Sequence, residues 1–229
     1  MKKSFITTAI VGAIGTICLG VSVSAQAQSA GQILGRVGVT HVAPDSSSSN
    51  LTSAPLGSQV TVGSATQVSG GITYMVTDNV AIDVPLSLPF KHQINGAGSF
   101  LGGAGKVAET KALPITVLGQ YRFGAANAQF RPYLGAGVAY EMFFKERSAA
   151  LLSAATGGTP NNPTTLKFDD KFGVALQAGI SVNISSKWFV DANVIYSPLK
   201  TRGNLSTGQT INVKLNPTVL SFSVGYVIK

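Results

Sequence analysis

An alternation of apolar and polar residues between positions 70 and 92 limits the folds available to this chain more than any other feature. Two runs with an apolar residue at every second position flank a turn at residues 77–79, in the sequence GGITYMVTDNVAIDVPLSLPFKH. A period of two is typical of β-strands, and Thr, Asp and Asn favour tight turns. The second run carries one apolar stripe of Val80, Ile82, Val84, Leu86, Leu88 and Phe90. A stripe of about ten residues is the length of a tilted transmembrane strand, so the pattern predicts a membrane-spanning hairpin.

The N-terminus has the features of a secretory signal peptide. Lys2 and Lys3 precede an apolar run that extends to about Val23, and the small-residue sequence Ala25-Gln26-Ala27 follows. This order predicts cleavage after residue 27, and it favours a removed signal over a retained membrane anchor. Residues 28–229 are then predicted to form a single domain without cysteine, which is typical of a bacterial envelope protein without disulfides.

Composition narrows the architecture of that domain. Beyond the signal there is no apolar stretch of 18 residues, although the mean hydropathy of the chain is +0.28 and only 11% of its residues are charged. A membrane protein without a helical span must close its backbone hydrogen bonds in a barrel. Residues 28–229 hold 15 basic and 9 acidic residues without a basic run. This balance favours an anionic lipid surface and argues against nucleic acid as a partner.

The alternation recurs along the chain and predicts an all-β fold, an eight-stranded antiparallel transmembrane β-barrel. Besides the hairpin, the predicted strands are residues 32–42, 111–123, 130–145, 169–184, 188–201 and 209–229. Connections alternate between long (43–66, 91–110, 146–168) and short, which is typical of outer-membrane barrels with both termini in the periplasm. The last strand changes phase at Asn216-Pro217, which predicts a break there. The inward face is the polar one, which argues against a soluble lipocalin-like barrel.

Aromatic residues near the predicted strand ends fit the two interfacial girdles of such a barrel. These residues are Tyr74, Phe90, Tyr121, Phe123, Tyr140, Phe144, Trp188 and Tyr226.

Several sequence blocks resemble the outer-membrane protein W (OmpW) family over nearly the whole of residues 28–229. They are GRVGVTHVAP, GITYMVTDNVAIDV, LPFKH, GAGKVAETKALPITVLGQYRF, RPYLGAGVAYEMFF, FGVALQAG, KWFVDANVIY and LNPTVLSFSVGY. The resemblance implies an eight-stranded outer-membrane barrel with a narrow apolar lumen, linked to uptake of small hydrophobic molecules.

The chain departs from the family at two places. Val227, Ile228 and Lys229 follow Tyr226, whereas the family closes on an aromatic residue that assists assembly by the barrel-assembly machinery. The family's lumenal constriction is a Leu on strand three and a Trp on strand seven, and the matching positions here are Pro85 and Ile195.

Two sets of inward-facing residues are candidate functional residues. The apolar set, predicted to form the constriction or ligand route, comprises Pro85, Ile195, Phe143, Phe189, Leu118 and Tyr133. The predicted lumenal charge network comprises Arg36, Asp83, Arg122, Arg131, Glu141, Lys171 and Asp191. The charges either fill and rigidify the lumen or form a polar floor beneath an apolar opening that binds a hydrophobic ligand. A ligand stopped by such a floor would leave sideways, where Pro85, Pro89 or Pro217 interrupts the strand pairing.

Catalytic and metal chemistry have little support in the sequence. The two histidines, His41 and His92, could serve a hydrolase only together with a loop serine, and they match no metal-ligand spacing. The glycine clusters at 96–105 and 157–158 lack the lysine and helix of a phosphate loop. We therefore expect a protein that is not an enzyme and has no cofactor and no metal.

The sequence predicts an integral protein of the bacterial outer membrane that binds and passes small hydrophobic molecules, with lateral exit as one route. Its expected partners are outer-membrane lipid, a small hydrophobic solute and the barrel-assembly machinery. The alternative is a non-transporting barrel whose long loops act as an adhesin, a receptor surface or an envelope stabiliser. The oligomeric state stays open.

Overall fold

The computed structural model describes residues 28–229, so the predicted signal peptide lies outside the described residues and stays a prediction. Strands dominate this part of the chain, with two short helices. The elements are β1 (Ile33–Pro44), β2 (Ser47–Ser48), β3 (Gln59–Val62), β4 (Ala65–Met75), β5 (Val80–Ser87), β6 (Phe90–Ala97), α1 (Gly98–Leu101), β7 (Lys106–Arg122), β8 (Phe130–Ser148), α2 (Ala150–Thr156), β9 (Leu166–Phe168), β10 (Lys171–Asn183), β11 (Trp188–Tyr196), β12 (Lys200–Leu205), β13 (Thr210–Lys214) and β14 (Pro217–Val227).

The long strands close into an antiparallel barrel. Around the wall the order is β1, β4, β5 continued by β6, β7, β8, β10, β11 and β14, and β14 pairs with β1 to complete the ring. The predicted eight-stranded barrel is therefore confirmed. No helix in residues 28–229 is long and apolar enough to cross a membrane.

The faces of the wall follow the alternation of the sequence. Apolar side chains project outward, where more than two-fifths of their surface is exposed, and they include Val37, Val39, Ile72, Ile82, Leu88, Ile115, Leu134, Val138, Phe172, Val174, Leu176, Leu220 and Phe222. Charged and amide side chains are buried inside, among them Asp83, Gln120, Arg122, Arg131 and Asp191. This distribution, apolar outside and polar inside, is that of a barrel in lipid.

The two ends of the barrel differ in their connections. At one end, called here the short-turn end, tight turns join the strands and the backbone N–H of Ile33 donates to the carbonyl of Lys229 at 3.0 Å. Trp188 and Tyr226 stack edge to face there with ring centres 4.9 Å apart, as expected for an interfacial girdle. The other end, called the long-loop end, carries α1, α2 and a second sheet in the order β2, β13, β12, β9.

A separate apolar core fills the long-loop end. Leu51, Val60, Ile94, Val107, Leu152, Phe168, Leu199 and Val213 are members of it, and all are more than nine-tenths buried. Within the predicted connection 146–168, residues Ala150–Thr156 form the short helix α2. The loops at this end thus form a folded layer on top of the barrel.

The predicted break in the last strand is also confirmed. Asn216 has a positive φ of 38°, and Pro217 follows it without a backbone donor. Before the break, β13 pairs with β12 in the second sheet, and after it β14 pairs with β1 and β11 in the barrel. The break therefore separates the barrel wall from the loop layer.

Two expectations about the hairpin region were wrong. The predicted long connection at 91–110 is mostly strand, since β6 continues to Ala97, β7 begins at Lys106 and only residues 98–105 join them. Phe90 does not continue the outward stripe, because it is 2% exposed and faces the lumen, while Lys91 faces out. The phase changes at Leu88-Pro89, where β5 ends and β6 begins with the opposite face inward.

Candidate functional site in the barrel lumen

A buried ion pair lies near the middle of the lumen. Arg36 binds Asp83 through both terminal nitrogens, at 2.6 Å and 2.9 Å, and Thr73 donates to the same carboxylate at 2.6 Å. The Arg36 side chain is 5% exposed and that of Asp83 is fully buried. A two-pronged pair of this kind satisfies both charges in a site that water does not reach.

Below this pair, toward the short-turn end, a second group of polar side chains fills the lumen. Arg122 donates to Gln28 at 2.7 Å and to Gln120 at 2.9 Å, and Gln120 in turn donates to Gln177 at 2.7 Å. Arg131 donates to the backbone carbonyl of Gln28 at 2.7 Å. All five residues are more than 95% buried, so side chains fill the lumen at this level.

Tyr133 links the second group to a further acid, Asp191. Its hydroxyl donates to the Asp191 carboxylate at 2.9–3.0 Å, and the Arg122 guanidinium lies 4.7 Å from the centre of its ring. Both Tyr133 and Asp191 are 1% exposed. The aromatic ring therefore supports the arginine while its hydroxyl satisfies the acid.

An apolar cluster closes the short-turn end beneath the polar groups. It contains Leu34, Met75, Ala81, Phe189 and Val227. The Phe189 ring lies against Gly225 so closely that a Cβ on that residue would be 2.0 Å from the ring. We call the polar groups and this cluster together the closed half of the lumen.

Toward the long-loop end the lumen is hollow. Cavity 1, of about 60 Å³, lies above the Arg36–Asp83 pair and is bounded by residues such as Pro85, Phe90, Pro114 and Ile195. Cavity 2, of about 50 Å³, adjoins it and is bounded by Phe90, His92, Phe143, Phe168 and Val219. The two cavities share wall residues, and the core of the loop layer forms the roof of cavity 2. We call this region the hollow half.

Glu141 and His92 are the ionisable residues of cavity 2. His92 Nδ1 lies 2.8 Å from the carbonyl of Gly63, so this nitrogen carries the hydrogen. Glu141 lines both cavities, and its carboxylate has no hydrogen-bond or ion-pair partner within residues 28–229.

The strand pairing of the barrel wall is interrupted beside cavity 1, and this interruption is called here the gap. Pairing between β5 and β7 ends at Asp83 with Leu118, and pairing between β6 and β7 begins at Phe90 with Ala112. Between these pairs, residues 84–89 and 113–117 face each other without a ladder. Pro85 and Pro114 lie on the two sides and line cavity 1, and neither has an amide hydrogen to donate. The hollow half therefore has a gap in its side wall.

The structure divides the predicted apolar residues between the two halves. Pro85 and Ile195 line cavity 1, Phe143 lines cavity 2, and Leu118 packs with Ile195 at the boundary. Phe189 and Tyr133 belong to the closed half and line neither cavity.

Of the predicted charges, Arg36, Asp83, Arg122, Arg131 and Asp191 lie in the closed half. Glu141 lies apart from them in the hollow half. The assignment of Lys171 to the charge network is wrong: its side chain is 40% exposed and its Nζ lies 3.5 Å from Asp169. Lys171 begins β10 at the long-loop end, where water competes for the charge.

Sequence reasoning missed the amides of the network and the role of Phe90. Gln28, Gln120 and Gln177 connect the arginines, and an inward-facing amide beside an inward-facing Arg122 was the available signal for Gln120. Gln28 precedes the first strand, and no pattern in the sequence places it in the lumen. Phe90 faces the lumen because the alternation changes phase at Pro89. In the sequence, the proline is the only sign of that change.

The closed strand order, the lipid-facing apolar wall and the polar interior define an eight-stranded outer-membrane β-barrel. The OmpW family model matches residues 29–228, and the chain belongs to the OmpW family. It is 36% identical to outer membrane protein W of Vibrio cholerae, over 92% of this chain and 98% of that protein.

Two further relatives bear on the fold and the surroundings of the protein. The crystal structure of OprG from Pseudomonas aeruginosa superposes with a TM-score of 0.79 at 30% identity, covering 89% of this chain and 99% of that one. The dibenzothiophene metabolism operon protein PahQ of Pseudomonas aeruginosa is 26% identical over 83% of this chain and 85% of that protein. The protein is thus an outer-membrane barrel of the OmpW and OprG type.

Proposed function

We propose that this barrel binds small apolar molecules in the hollow half and releases them sideways into the outer membrane, without catalysing a reaction on them. The observation that carries this proposal is the gap in the wall between residues 84–89 and 113–117, directly beside cavity 1. A missing ladder is costly in lipid, because unpaired backbone groups have no water to pair with there. A barrel that keeps such an interruption is therefore expected to use it in some role. An exit for solutes is such a role.

The contents of the lumen support a lateral route over a straight one. A solute that moved from cavity 1 toward the short-turn end would have to displace the Arg36–Asp83 pair and the Arg122 contacts. Removing one partner of a buried pair costs about 3–5 kcal/mol. The side gap is bounded instead by the apolar surfaces of Pro85, Leu86 and Pro114.

The chemistry of the cavities supports an apolar ligand. Phe90, Phe143 and Phe168 supply aromatic walls, and Val219 and Leu215 supply aliphatic ones. Mostly apolar lining with few polar groups is typical of small-molecule sites. The relative PahQ is named for an operon of dibenzothiophene metabolism, and that compound is an apolar aromatic.

Crosslinking across the gap tests the route. Residues 28–229 contain no cysteine, so a Ser87→Cys, Thr116→Cys variant can be joined selectively by a bifunctional thiol reagent. The matched control is Asn193→Cys, Ser221→Cys, which also lines cavity 1 but spans the continuous β11–β14 ladder. Uptake of naphthalene is measured with refolded protein in vesicles whose outer leaflet is lipopolysaccharide, with ion conductance recorded in parallel.

We expect the parent to take up naphthalene faster than an unrelated eight-stranded barrel does, with little steady conductance. Crosslinking should abolish the gain in the Ser87, Thr116 pair and preserve it in the control pair. Unchanged uptake after crosslinking across the gap would rule out lateral exit. Uptake by the parent no faster than by the unrelated barrel would favour a surface role for the loop layer.

A further inference from the structure

Glu141 places a hydrogen-bond acceptor in the hollow half. A ligand that is a pure hydrocarbon has no donor for it. Glu141 lies on β8 where the two cavities meet, and it lines both. Its carboxylate has neither a donor nor a cation among the residues that the structure describes. A carboxylate in mostly apolar surroundings is unfavourable until a donor pairs with it.

The nearby cations are already held by other acids. Lys171 is the direct cross-strand neighbour of Glu141, but its Nζ lies 3.5 Å from the Asp169 carboxylate. Arg36 also lines cavity 1, but both of its terminal nitrogens bind Asp83. Neither cation is therefore directed at Glu141.

The other polar groups of cavity 2 do not supply the missing donor. His92 uses its Nδ1 hydrogen on the Gly63 carbonyl, which leaves Nε2 as an acceptor. Thr201 donates to the carbonyl of Asp169 at 2.6 Å, and Thr110 donates to the carbonyl of Lys111 at 3.4 Å. The cavity thus offers acceptors to a ligand, and its own donors are engaged.

We propose that Glu141 binds the head group of an amphipathic ligand: a small apolar molecule with one terminal hydrogen-bond donor, an ammonium group being preferred to a hydroxyl. The inference deepens the proposed function, since it uses the same cavities and names the class of solute. A charge-assisted hydrogen bond to a carboxylate is about twice as strong as a neutral one, which sets the order of preference. The aromatic walls of cavity 2 then enclose the apolar body.

The size of the cavities sets the size of the ligand. Volumes of about 60 Å³ and 50 Å³ correspond to roughly four or five water-sized groups each, at about 10–15 Å³ per group. A molecule of roughly nine heavy atoms therefore matches the two cavities together. 2-Phenylethylamine, 2-phenylethanol and propylbenzene share that size and differ only in the terminal group.

The test is a titration of refolded residues 28–229 in detergent micelles with these three compounds, at mildly alkaline pH. Binding is followed through the NMR signals of the Ile195 and Val219 side chains, which line cavity 1. The variant is Glu141→Gln, which keeps the volume and removes the charge. The matched control is Glu109→Gln, whose carboxylate binds Lys91 and Lys106 and lines neither cavity.

In the parent we expect the amine to bind at least about tenfold more tightly than propylbenzene, with the alcohol between them. The amine preference should disappear in Glu141→Gln and persist in Glu109→Gln. Because each ratio compares compounds in the same micelles, partition into detergent cancels between the variants.

Equal amine preference in the parent and in Glu141→Gln would overturn the assignment of Glu141, and so would the absence of any preference in the parent. These results are separable from the uptake assay. A preference that depends on Glu141, together with no uptake, would leave the head-group site standing and remove the transport function.

Discussion

The closed half and the hollow half of the lumen share one wall of eight strands, yet one is filled and the other is not. In the closed half several inward side chains are long and reach partners on other parts of the chain, as Arg122 reaches Gln28 and Arg36 reaches Asp83. In the hollow half most inward side chains of the wall are small, including Thr40, Ser69, Ser87, Ala139, Ala175 and Ser221. An eight-stranded barrel is nearly filled by its side chains, so a level of small residues leaves a cavity.

The halves also differ in how the wall itself is held. Next to the closed half every strand pairs with both neighbours, whereas next to cavity 1 the wall has a gap flanked by prolines. Under the proposed function, stability and binding belong to different levels of one barrel. Substitutions in each half, compared for their effects on stability and on uptake, test this difference between the halves.

The largest expected effect is on the ion pair of the closed half. Asp83→Asn leaves the Arg36 charge buried without a compensating acid, which should lower the free energy of unfolding by about 3–5 kcal/mol. Replacing both residues together, as Arg36→Met with Asp83→Leu, should recover most of this loss. Guanidinium titrations in lipid vesicles, followed by the fluorescence of Trp188, measure both variants. A double variant as unstable as Asp83→Asn would contradict the pair as the cause.

Two phenylalanines sharpen the comparison between the halves. Phe189→Ala removes a 2% exposed ring from the closed half and should cost about 3 kcal/mol, at the lower end for such truncations. Phe143 is half-buried beside an existing cavity, so Phe143→Ala should cost only about 1 kcal/mol. The second variant should also speed naphthalene uptake, because it widens cavity 2. Similar losses of stability at both positions would mean that the hollow half is packed as tightly as the closed half.

The smallest effect is expected at the long-loop end, where Glu109 pairs with two exposed lysines. Hydrogen bonds from Lys106 and Lys91 lower the pKa of Glu109 to about 2. The contribution of this carboxylate to stability is present above its ordinary pKa and is lost as the pH falls through about 2. Glu109→Gln should shift the unfolding midpoint little at neutral pH, since both lysines are largely exposed and water screens their charges. A loss as large as that of Asp83→Asn would show that the loop layer shares the stabilising role of the closed half.

The sequence predicted the barrel well because lipid imposes a strict pattern on it. Every wall strand must alternate, and every backbone group must pair, so the stripes on β7, β8 and β10 identified both the number of strands and their faces. The break at Asn216-Pro217 could also be predicted from the sequence, because a proline and a change of phase coincide there. The phase change at Pro89 was missed, because Phe90 is apolar and suits either face.

What the sequence determined by itself is the class of the protein: an outer-membrane barrel whose inward residues include Arg36, Asp83, Arg122 and Glu141. Only the tertiary structure decided which of these charges find partners. Alternation fixes the face of a side chain, but the strand register and tilt fix its height in the lumen and therefore its neighbours. Asp83 lies at the level of Arg36 and is neutralised, whereas Glu141 lies above the paired charges, between two cavities, and has no partner among residues 28–229.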